Sequence, residues 1–158
     1  MSADNELAPS AADWDTRGWT SIEPVLAEHF VAEHHWREKP ESTLWFGGRN
    51  AGFDVSNALR RTDAKKAWFN VGDDEYLYFA APKNGFNPDK VDAIAPVVLS
   101  GVSIGYEVCP SGGGKVIGRY ESARMWLIPV TELNSMLQYQ AKGRSRVPLA
   151  LLFPYEQD

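Results

Sequence analysis

GFDVSNALRRTDAKKAWFNV, residues 52–71, decides how this chain is read. From Asp63 to Val71 it is rich in Ala, Trp, Phe and Val and reads as a strand. Asn57 to Arg61 is the polar turn before it, and Phe53 to Ser56 is a short strand before that. Residues two apart on a strand project to one face, so Asp63 and Lys65 should point together while Ala64 faces the core. Asp54 enters from the preceding strand. Two carboxylates converging at one end of a sheet form an oxygen donor set that suits a hard divalent cation such as Mg²⁺. Asp54, Asp63 and Lys65 are therefore the candidate catalytic residues.

Working outward, Thr20 and Glu23 have capping-box spacing, with Pro24 tolerated in the first turn. Ile22, Val25, Leu26 and Phe30 recur at helical spacing, which predicts a helix to about Trp36, before Pro40. Thr43 to Phe46 is a further short strand. On the other side, Gly72 to Glu75 is a tight turn, and Tyr76 to Phe79 returns antiparallel. Pro82 to Pro88 is a loop by composition. Asp89 to Leu99 suits a helical turn in its first half and a strand in its second. The alternation of Val102, Ile104, Tyr106 and Val108 predicts a half-buried strand. Another strand is expected at Met125 to Ile128, followed by a helix capped by Thr131. The apolar Val147 to Phe153 should pack on the sheet. The fold class is α+β (or α/β): a single domain with a central mixed β-sheet, an N-terminal helix and a helix near the C-terminus. Residues 1–18 form a flexible tail, and 19–158 the domain.

The 158 residues carry a formal net charge of −5, which argues against a nucleic-acid coat or a membrane-surface protein. The single cysteine, Cys109, excludes an internal disulfide framework and fits a reducing compartment. No run of apolar residues is long enough to span a bilayer, and no secretion signal opens the chain, so a soluble cytoplasmic protein is expected. Arg49, Arg60, Arg61, Lys65 and Lys66 cluster around the opening stretch, a local basic patch that suits a phosphate backbone.

The order helix, strand, GFDV, then Asp63-Ala64-Lys65 on the next strand resembles the PD-(D/E)xK nuclease-like superfamily over residues 20–80. That resemblance implies a metal-dependent nuclease acting on nucleic-acid phosphodiesters, an Mg-dependent endonuclease in its simplest form. Asp54 and Asp63 would ligate Mg²⁺, a glutamate of the first helix (Glu23 or Glu28) would join them, and Lys65 would orient the attacking water. Arg49, Arg60, Arg61 and Lys66 would contact phosphates, and a homodimer would cut both strands. The chain departs from the pattern at Phe53, where proline is usual, and at Asp63, where glutamate is commoner. Lys66 beside Lys65 leaves strand register to decide which lysine faces the site.

Other motifs fail on spacing. His29, His34 and His35 do not match a zinc helix, and surface or helix-end histidines are expected. Ser111-Gly112-Gly113-Gly114-Lys115 lacks the first glycine and the following hydroxyl of a phosphate loop. Cys109 has no activating neighbour. The alternative function is a non-catalytic protein-binding module of the immunity, antitoxin or phage inhibitor type. It would use an acidic, aromatic-rich surface built on Asp73-Asp74-Glu75 and the first helix.

Overall fold

Strand β3, Arg61–Asn70, is the axis of the molecule, and its alternation assigns side chains to two opposite faces. Thr62, Ala64 and Lys66 turn toward the first helix. Asp63, Lys65, Ala67 and Phe69 turn away from it, Ala67 and Phe69 into a second core. The computed structural model describes residues 22–46, 52–108, 110 and 114–158. The predicted tail, the Thr20 cap, Arg49 and Cys109 lie outside these.

Helix α1, Ile22–Glu38, opens with Glu23 in its first turn and closes with His35 and Arg37 in its last. The charges of Glu23 and Arg37 complement the helix dipole. It stops short of Pro40, whose ring disfavours helical geometry in the residue before it. Val25, Leu26, Ala27, Val31 and Ala32 are buried, and the last three pack with Val55, Ala64, Ala95, Val97 and Met125. His35 is fully buried on this face, contrary to the expectation of surface histidines, and its Nε2 lies 2.7 Å from Thr62 Oγ1 on β3. Burial above all, then the charges of His34 and Arg60, push its pKa down to about 4 against Glu38 and the Val31 carbonyl, so the ring is neutral.

Ten strands form one mixed sheet along the order β10-β11-β4-β3-β5-β8-β12. β1 (Leu44–Trp45) pairs with β2 (Val55–Ser56), and β2 with the start of β3. β4 (Asp73–Ala80) returns along the end of β3 through a turn at Val71-Gly72, shorter than the predicted 72–75, so that Asp73 to Glu75 already belong to the strand. β5, Ala93–Ser100, lies parallel to β3 and antiparallel to β8 (Ser122–Trp126) and β9 (Ile128–Pro129). Proline is unusual in a central strand. Pro96 is tolerated because β5 changes partner there, from Ile128 opposite Ile94 to Met125 opposite Val97. Leu127, in the gap, gives its N–H to the Tyr155 carbonyl.

β6 (Ser103–Val108) and β7 (Gly114–Arg119) pair only with each other. The alternation at 102–108 predicted a half-buried strand, but Ile104 is 37% and Val108 77% exposed. Val102 is half-buried against Val25 and Leu26, but Ile104 and Val108 lie on a two-stranded ribbon with no sheet beneath them. α2, Val130–Met136, begins one residue before Thr131 and has no side-chain cap. β10 (Gln138–Ala141), β11 (Arg144–Pro148), two short 3₁₀ turns and β12 (Glu156–Gln157) complete the chain. α2 and the C-terminal turns cover the face opposite α1 around Leu77, Phe79, Trp126, Ile128, Leu133, Val147 and Leu152. Among the described residues no helix is long and apolar enough to cross a membrane.

Candidate functional site

On the edge of β3 away from β5, the sheet forks. β2 pairs at Arg61 and Thr62, β4 pairs from Ala67 onward, and between them the edge has no strand beside it. A backbone N–H facing such a gap needs an acceptor. Asp54 supplies it: its own N–H bonds Thr62 O at 2.9 Å, and its Oδ2 accepts the Ala64 N–H at 3.0 Å. The carboxylate replaces the missing strand carbonyl, which anchors Asp54 beside Asp63.

Asp63 is 9% exposed, and its Oδ2 lies 3.3 Å from Lys65 Nζ. Burial pushes its pKa up to about 8. The Lys65 charge pulls the other way, and the hydrogen bond and charge of Asp54 add to the rise. Asp63 thus keeps its proton near neutral pH, chiefly because burial disfavours its charge. A cleft of ≈ 480 Å³ opens at this point, a size suited to a small ligand or one nucleotide. Asp63 and Lys65 line one side of it, and Phe86, Asn87 and Lys90 the other.

The far wall is held by α2. Asn134 accepts the Phe86 N–H through Oδ1 and donates to the Phe86 carbonyl through Nδ2, both at 2.9 Å. Lys65 Nζ lies 5.8 Å from the centre of the Phe86 ring. Lys90 is exposed and, among the described residues, has no ion-pair partner. Sequence reasoning missed Phe86, Asn87 and Lys90, because PKNGFNPDK announces a loop but not which strand edge it will face.

The structure brings Asp54, Asp63 and Lys65 together and puts Lys66 on the opposite face, where its Nζ pairs with Glu23 at 2.7 Å. The remaining candidates are placed elsewhere. Glu28, predicted as a third metal ligand, lies on the α1 side of the sheet and accepts the Trp45 indole N–H at 3.2 Å. Arg60 is ion-paired with Glu38. Arg61 grips Asp92 through Nε at 3.0 Å and Nη2 at 3.1 Å, and donates to the Asp89 carbonyl. The three predicted phosphate contacts that are described are thus already held by carboxylates of the fold. Acids brought close by folding took them up.

What fold and site define together is an α+β domain with two aspartates and a lysine at a fork in its sheet. No protein-family model matches the chain, and no curated protein or solved structure matches it.

Proposed function

We propose that this chain is a metal-dependent nuclease or nuclease-like protein that acts on nucleic-acid phosphodiesters in the cleft beside Asp63. The observation that supports this best is the buried Asp63 carboxyl lining the cleft, with Lys65 Nζ 3.3 Å from its Oδ2 and Asp54 anchored beside it on the Ala64 N–H. A carboxyl at the edge of a cleft with a second one beside it forms a site that a divalent cation fills by displacing the proton. The all-oxygen donor set, open on the cleft side, fits Mg²⁺, which keeps several waters and binds through one or two carboxylates. Bound there, Mg²⁺ would supply charge stabilisation for the scissile phosphate and a more acidic water.

The chain's own residues do the rest. Asp54 and Asp63 would hold the ion, and the Ala64 N–H fixes one Asp54 oxygen so that the pair keeps its geometry. Lys65 would offer its ammonium to the attacking water or to the charge that builds on the phosphoryl oxygens. Lys90 meets the phosphate from the opposite wall.

A thermal melt with millimolar Mg²⁺ or Mn²⁺ tests the reading, together with incubation on plasmid DNA and on RNA. The ion should raise the melting temperature of the parent chain, Asp63→Asn should erase the rise, and cleavage should vanish with it. No rise and no cleavage by the parent chain would sink it.

A second reading, a protein-binding module, draws on a different surface. Phe153 is 85% and Leu151 50% exposed, and Phe153 lines a second cleft with Asp74 and Glu75. Large exposed apolar side chains next to an acidic rim suit a basic protein partner. That reading requires no response to metal.

A further inference from the structure

We propose that the C-terminal turn of α1 carries a second, separate metal site, in which His34, His35 and Glu38 bind a Zn²⁺-type ion. One ligand atom from each residue lies within 4.8 Å of the others. His34 Nδ1 and His35 Nδ1 face each other at 3.4 Å. That is longer than an ordinary N–H···N bond, for which roughly 2.7–3.2 Å is usual. It matches the spacing of two nitrogens on one tetrahedral Zn²⁺, about 3.3–3.4 Å at the normal Zn–N length.

The surroundings fit a ligand set. His35 Nε2 is tied to Thr62 Oγ1 at 2.7 Å inside the core, which fixes the ring plane, and Nδ1 faces His34. Ligating imidazoles commonly have such a partner on the other nitrogen. Glu38 is oriented in the same way: Arg60 and Asn57 both donate to Oε1, leaving Oε2 as the ligand oxygen. Two imidazoles and one carboxylate select Zn²⁺ over Mg²⁺, whose preference is for oxygen. With three protein ligands, the fourth position goes to water. The ion would fasten α1 to β3 through Thr62 and to the 57–60 turn through Glu38. It lies on the face of the sheet opposite Asp63.

Isothermal titration of Zn²⁺ into the tag-free full-length chain tests this, with the visible d–d spectrum of the Co²⁺-loaded chain as a second readout. The expected result is one site per chain with tetrahedral Co²⁺ bands. His34→Gln and Glu38→Gln should each weaken binding at least tenfold. Both side chains reach solvent, so neither variant opens the core. Thr62→Val, which removes only the partner of His35, should weaken it by about 10–100-fold. Asp63→Asn should leave it unchanged, which separates this site from the cleft. A parent chain that binds no Zn²⁺ at micromolar concentration overturns the proposal. So does a His34→Gln chain that binds as tightly as the parent.

Discussion

Asp63 is where the cost of burial and the chemistry of the cleft meet. Its raised pKa means that the folded chain holds a proton that the unfolded chain releases near pH 4. Between about pH 4 and about pH 8 the native state therefore binds more protons than the unfolded one, and stability falls as pH rises through that window. Asp63→Asn removes the titrating group, so melting temperatures across pH 4–8 should decline less steeply in the variant than in the parent. If Mg²⁺ takes the proposed position it must displace this proton, so its affinity should rise over the same window and level off above it. Asp54 adds a second residue-scale test. Asp54→Ala leaves the Ala64 N–H at the sheet fork without its acceptor, a loss of about 1–3 kcal/mol. Asp54→Asn keeps an acceptor oxygen, so chemical denaturation should find it closer to the parent, although it too should lose the Mg²⁺ response.

At the scale of elements, the far wall of the cleft depends on the turn before Phe86. Gly85 has φ +85°, and a Cβ there would lie 2.5 Å from Asn134 Oδ1. That oxygen is the one that receives the Phe86 N–H. Gly85→Ala should therefore cost more than about 1 kcal/mol in denaturant unfolding, and it should loosen the wall that carries Lys90. The same elements show what a linear reading reaches. Asp63, Ala64 and Lys65 were legible because period-two alternation is a property of a few adjacent residues. The fork was not, since it depends on β2 and β4 approaching the same edge of β3 from different parts of the chain. For the same reason Arg61 read as a free cation: its partner, Asp92, is 31 residues away. His35 read as a helix-end histidine because nothing local indicates that Thr62 will meet it. The ribbon at 103–119 misled in the other direction, since alternation reports facing residues but not whether a second layer exists.

Across the whole molecule, the two cores lie on either side of one sheet, and the ribbon joins neither, touching the body where β7 runs beside α1. Trp126 is fully buried at the centre of the core under α2, so Trp126→Ala should cost about 3–5 kcal/mol. The ribbon is attached differently. Ser100 on β5 pairs directly with Ser122 on β8, and the Glu121 N–H bonds the Ser100 carbonyl. The two strands are already closed before the chain runs out into β6. None of the described ribbon side chains joins a buried cluster. Replacing residues 103–119 by a short glycine-containing turn should therefore shift the denaturation midpoint by less than about 1 kcal/mol, since shortening a surface connection changes closure entropy only slowly. The sheet, the fork and the Asp63 cleft should survive the deletion, with the Mg²⁺ response intact. If the shortened chain lost stability on the scale of Trp126→Ala, the contact of β7 with α1 would be holding the helix in place, and the division of the molecule into a two-core body and an appended ribbon would be wrong.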